Sequence, residues 1–145
     1  VDLPGPTGEA NTLSLAPRGR VLVLGPDAET LLAQTVQALA AGNAVMAVAP
    51  GAPAAMSALT GKGLPLSVLD GRLDPAEVRT LKVDAVACSG PTETMRALRQ
   101  ALAEREGPIV PLISEVIYPA AYVHERAVCV DTTAAGGNAS LLATA

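Results

Sequence analysis

Five short, largely apolar runs recur along this chain, and their spacing constrains the fold more than any single motif. The first, Arg20-Val21-Leu22-Val23-Leu24, is continuous rather than alternating, which is the pattern of a strand buried on both faces. Ala44–Val48, Leu66–Leu69, Ala85–Cys88 and Pro108–Ile113 are the other four. Between them lie segments with helical signals. Asp27 is placed to cap a helix in which Leu31, Leu32, Val36 and Leu39 share a face, and Gly42-Asn43 stops it. A short helix spans Ala52 to Leu59. Asp74-Pro75-Ala76-Glu77 has proline at the first helical position and glutamate at the capping-box position. Pro91 to Glu106 is a second long helix, with Met95, Leu98 and Leu102 on one face. The prolines of the fifth run put that strand near a sheet edge.

Strands alternating with helices through short loops predict an α/β fold: a doubly wound, mainly parallel, five-stranded Rossmann-like sheet. After Ile113 the alternation stops, and 118–130 contains only short extended runs, the pattern of a β-ribbon. The tail from Asp131 follows, rich in small residues, with Gly136-Gly137 adjacent. Four breakers in the first eight residues, Pro4, Gly5, Pro6 and Gly8, give the start of the chain the character of a linker. The expected organisation is a linker over 1–19, a Rossmann-like domain over 20–117, a ribbon or flap over 118–130 and a docking tail over 131–145.

With no Phe, no Trp and two tyrosines, Tyr118 and Tyr122, the core must be aliphatic. The net charge of −4 excludes a broad basic footprint, so nucleic acid is not expected as a partner. No apolar stretch reaches the ~20 residues of a membrane span. The start of the chain does not read as a signal peptide. Cys88 and Cys129 both lie in apolar runs and read as small buried residues, not as a disulfide framework or nucleophiles, in a reducing, cytoplasmic setting. His124 is the only histidine and has no grouped partners for a triad or a metal. Arg96, Arg99, Glu104, Arg105 and Glu106 read as the wet face of the second long helix, Glu125-Arg126 as a solvated edge, and Asp70-Gly71 as a turn.

A doubly wound sheet invites a dinucleotide at the turn after its first strand. Here that turn is Gly25-Pro26-Asp27: one glycine, a rigid proline and a negative charge where pyrophosphate would rest. It is a poor phosphate cradle, and no cofactor is expected on this chain.

Leu39-Ala40-Ala41-Gly42-Asn43-Ala44-Val45-Met46 resembles the helix-to-strand junction in the NAD-binding domain of aldehyde dehydrogenases. Val83 to Glu93 is similar to a later strand–turn–helix of that domain, and Pro111-Leu112-Ile113-Ser114-Glu115 to the segment bearing its catalytic glutamate. The departures fall on the functional positions. Val48 and Gly51 stand where the family has the lysine and glutamate that hold the adenosine ribose. Pro91 replaces a serine, and Ile117 and Tyr118 replace two glycines after Glu115. The opening Leu3–Glu9, Asn11–Leu13 and Pro17–Leu22, together with Tyr122, Glu125-Arg126 and the 131–142 tail, resemble the end of long-form members of the proline utilization A family.

That resemblance implies a noncatalytic C-terminal domain with no catalytic, cofactor-binding or metal residues of its own. It implies a parent that oxidises proline with FAD and the resulting semialdehyde with NAD. The partner implied is the aldehyde dehydrogenase module of the same polypeptide. The domain would cover that module and help seal the cavity through which the intermediate passes, with Thr132, Thr133, Gly136, Gly137 and Asn138 as contact residues. A residual nucleotide- or metabolite-binding module is the alternative. An independent enzyme is disfavoured, because no nucleophile–base constellation is visible.

Overall fold

The computed structural model describes residues 1–5 and 8–131. The predicted contact residues Thr132, Thr133, Gly136, Gly137 and Asn138 lie outside the described residues. The described residues divide into two compact units, one of 17–124 and one that joins the start of the chain, up to residue 16, with 125–131.

The larger unit holds a five-stranded parallel sheet built from β3 (Arg20–Val23), β4 (Ala44–Ala49), β5 (Leu66–Asp70), β6 (Ala85–Ala87) and β7 (Leu112–Ile113). Their spatial order is β5-β4-β3-β6-β7. The first strand is central, the next two build outward on one side, and the last two build outward on the other. The predicted doubly wound sheet is present, and the proline-bearing fifth strand is at an edge, where missing N–H donors cost no ladder bonds.

Alternate residues of each strand feed opposite layers. Val21 and Val23 face α1 (Ala28–Ala40) and the four-residue α2 (Ala52–Ala55), in a cluster with Leu31, Met56 and Ile113. Leu22 and Val86 face α3 (Thr92–Ala103) and the 3₁₀ turn Pro75–Arg79, with Val78, Met95 and Leu98. Burying an aliphatic side chain of this size contributes about 1.5–3 kcal/mol, and these two layers hold the sheet.

Local chemistry explains the helix ends. The Asp27 carboxylate accepts from the Thr30 N–H at 2.9 Å and its hydroxyl at 3.1 Å, as an N-cap should. At the other end of α1, Gly42 takes φ +85°, its N–H reaches the Leu39 carbonyl at 2.9 Å, and the Asn43 N–H reaches the Ala38 carbonyl at 3.1 Å. This is a Schellman closure, and the left-handed residue it needs favours glycine. The Asp74–Glu77 capping box is formed, on a 3₁₀ turn rather than an α-helix.

Four expectations are corrected. First, α1 buries Thr30, Leu31, Gln34, Thr35 and Ala38, while Leu32 and Val36 remain 37% and 45% exposed. Ala47, Ala49, Ala85 and Ala87 belong to the same core cluster. Small residues beneath the helix favour a face of short side chains at close approach, and Gln34 Nε2 donates to the Glu115 carbonyl at 3.0 Å. Second, Arg105 is not on a wet helix face. It lies beyond α3, and its guanidinium donates to the carbonyls of Val78 and, at 2.8 Å, Leu81. Third, the segment read as a linker carries strands β1 (Asp2–Leu3) and β2 (Glu9–Pro17). The early breakers masked a two-residue alternation in which Asn11 and Leu13 are half-buried and their neighbours are exposed. Fourth, Cys129 is exposed, with its Sγ 3.7 Å from Glu9 Oε2.

The smaller unit accounts for that last result. Its sheet has the order β1-β2-β8, with β8 running Val123–Asp131 after the 3₁₀ turn Pro119–Tyr122. β1 and β2 are antiparallel, and Ser14 Oγ on β2 lies 3.4 Å from the Arg126 carbonyl. From His124 onward every residue of β8 is exposed, so an apolar run there does not bury its cysteine.

Candidate functional site

In an open α/β sheet, ligands bind beyond the carboxyl ends of the strands, where the strand order reverses. Here that place lies between β3 and β6. It holds a cavity of about 410 Å³ lined by Leu24, Pro26, Val48, Leu73, Cys88 and Leu98, with Arg72 at its exposed lip.

The loops after β3, β4 and β6 border this cavity. The turn after β3 begins at Gly25, which is needed for packing: a Cβ there would lie 2.6 Å from the Leu31 Cα and N. Pro26 and Asp27 follow. At the start of α1, where a phosphate would bind, the Thr30 N–H is met by the Asp27 carboxylate, whose charge also opposes a second anion. After β4, Gly51 takes φ +76° and donates its N–H to Asp70 Oδ1 at 2.8 Å, which closes the loop internally. Val48 is 7% exposed and offers only hydrocarbon. At the start of α3, Pro91 is the N-cap and makes no side-chain capping bond.

The chemistry-bearing residues do not assemble either. Cys88 lies in the cavity wall, and burial pushes its thiol up to about 11, so it is neutral near pH 7 and a poor nucleophile. Glu115 is exposed, and its carboxylate accepts from the Ser114 N–H at 3.2 Å. His124 is exposed. Among the described residues no group of three or more His, Cys, Asp or Glu side chains could hold a metal ion. Among the described residues no helix is long and apolar enough to cross a membrane.

Two residues to which the sequence reading gave no place in the core are fully buried in this unit. Asn43 is fully buried and makes three side-chain bonds, and its only sequence signal was its place after the helix-stopping glycine. Tyr122 is fully buried, and its hydroxyl has no hydrogen-bond partner among the described residues. Burial, and then the charge of Glu115, raise that hydroxyl to about 12.

Comparison with known proteins places this geometry. No family model matches the chain. The bifunctional protein PutA of Escherichia coli is 38% identical over 149 residues, covering 97% of this chain and 11% of the relative. PutA of Rhizobium meliloti is 34% identical over 165 residues, covering 99% and 12%. The chain therefore spans about a tenth of the length of these relatives. A crystal structure of bifunctional proline utilization A superposes with a TM-score of 0.63 at 35% identity, over 77% of this chain and 13% of that one. An NAD-dependent benzaldehyde dehydrogenase from Corynebacterium glutamicum gives a TM-score of 0.61 at 20% identity, over 79% and 28%, a likeness of fold alone. The chain is homologous, along nearly its whole length, to a C-terminal segment of the bifunctional proline utilization A proteins, and its larger unit has the α/β fold of the aldehyde dehydrogenases.

Proposed function

We propose that this chain is a noncatalytic domain of a bifunctional, cytoplasmic proline-catabolic polypeptide. That polypeptide oxidises proline with FAD and then oxidises L-glutamate γ-semialdehyde to glutamate with NAD. In it the chain covers the aldehyde dehydrogenase module and helps seal the cavity through which the intermediate travels. The domain itself holds neither cofactor. The observation that carries this reading is the nucleotide crevice: the fold is kept while Asp27, Val48, Gly51 and Pro91 occupy the places that phosphate and ribose would need. A protein that retains the scaffold without those hydrogen-bonding groups is using the scaffold as a shape. The ribbon and the tail from Asp131 supply the docking elements in this reading. An extended strand with exposed edges can add to another sheet, and Gly136-Gly137 allows close backbone approach.

Two measurements test it. Calorimetric titration of the 145-residue chain with NAD is expected to show no saturable binding tighter than ~100 μM, about −5.5 kcal/mol; tighter binding would overturn the noncatalytic reading in favour of a nucleotide-binding module. In the full-length polypeptide, Gly137→Trp is expected to impair NADH formation from proline more than proline oxidation with an artificial acceptor. Unchanged rates and an unchanged lag would overturn the sealing role. Loss of aldehyde oxidation from added substrate would show that the segment supports the dehydrogenase itself.

A further inference from the structure

β3, β6 and β7 are parallel neighbours, so their amino ends lie together, on the side of the sheet opposite the nucleotide crevice. A groove of about 430 Å³ opens there. Its charged lining is Arg18, Arg20, Lys82, Arg105, Asp84 and Glu106, four cations against two carboxylates, in a chain whose net charge is −4. Arg20 pairs with Asp84 at 3.4 Å. Arg18 donates to the Ala121 carbonyl, and Arg105 to the carbonyls of Val78 and Leu81. A neutral carbonyl fixes a guanidinium without cancelling its charge, so both are held in place and remain cationic. Lys82 is exposed on the same wall. Beside these charges stands Ile109, 96% exposed, on a stretch stiffened by Pro108 and Pro111, with Val83 and Val110 forming an apolar floor.

We infer that this groove docks an acidic peptide segment that carries an apolar side chain. Its carboxylates meet Arg18, Lys82 and Arg105, and its apolar side chain lies on Ile109. Charge of one sign concentrated in a concave site attracts and orients a partner of the other sign. The local excess is only two positive charges on an acidic chain, too little for a nucleic-acid backbone. The exposed apolar rim favours a peptide over a small inorganic anion.

The test uses the 145-residue chain and a fluorescein-labelled, capped peptide Asp-Glu-Leu-Glu-Asp, followed by anisotropy. Saturable binding is expected, weakened by raising salt from about 50 to about 300 mM as screening requires. Lys82→Glu is expected to weaken it at least about fivefold, and Ile109→Ser to weaken it as well; both residues are exposed, so the fold is retained. A peptide with lysine in place of each acidic residue should not bind. The inference is overturned by no saturation up to about 1 mM peptide, by indifference to Lys82→Glu, or by equal binding of the basic peptide. It is also overturned if citrate competes at concentrations equal to the peptide's own, which would mark a small-anion site.

Discussion

Asn43 is the most informative place to perturb this protein. Its side chain is fully buried, and it donates from Nδ2 to the carbonyls of Ala38 and Tyr122, each at 2.9 Å, while Oδ1 accepts from the Gly19 N–H at 2.9 Å. One amide thus ties the end of α1, the entry to β3 and the 3₁₀ turn before β8. Asn43→Ala removes all three bonds, each with a net worth of about 1 kcal/mol. The losses are unequal. The Ala38 carbonyl keeps the Asn43 backbone N–H, and the Tyr122 carbonyl keeps the Arg18 N–H, whereas the Gly19 N–H has only water to turn to. The expected cost is about 2–3 kcal/mol, a fall in thermal midpoint of roughly 5–10 °C for a chain of this size. Asn43→Asp is the sharper variant. An ionised carboxylate can still accept from Gly19 but would face two carbonyl oxygens with no proton to give, and it would bury a charge. It should cost more than alanine at pH 7, and the gap should narrow as pH falls, because the neutral acid regains one donor. Urea unfolding followed by far-ultraviolet circular dichroism suits the chain, which has no tryptophan to report by fluorescence. A cost below about 1 kcal/mol for alanine, or an aspartate milder than alanine at pH 7, would refute the claim that donation by this amide holds the three elements together.

Two further outcomes follow from the packing and from the buried acids. Gly25→Ala places a Cβ 2.6 Å from the backbone of Leu31, which cannot rotate away, so it should destabilise by about 1–3 kcal/mol in the same urea assay; a neutral result would mean that α1 is free to shift. Cys88 and Tyr122 are neutral acids whose folded values, about 11 and about 12, lie above their ordinary 9.0 and 10.0. The unfolded chain loses those protons first, so the contribution of these two groups to stability should be constant below pH 9 and fall from about pH 9 to about pH 12. Cys88→Ala should flatten the lower part of that fall and Tyr122→Phe the upper part. Tyr122→Phe should cost little at pH 7, because the hydroxyl has no hydrogen-bond partner among the described residues to lose.

The sequence by itself determined the parallel sheet and its punctuation. These depend on properties local in the chain: continuous apolar runs, Asp27 as a cap and a glycine where φ is +85°. Tertiary structure decided what depends on distance between remote segments. Leu32 and Val36 look as apolar as Leu31, yet only the layer beneath α1 selects which face is buried. Arg105 reads as one more solvated charge until the carbonyls of Val78 and Leu81 are brought to it. Cys88 and Cys129 stand in similar apolar runs, but one strand is covered on both faces and the other is bare. The cationic groove has no motif at all, because Arg18, Lys82 and Arg105 are dispersed in sequence and converge only where three parallel strands begin side by side. Local propensity is written in neighbouring residues, whereas burial and charge convergence are properties of chain segments that meet only after folding.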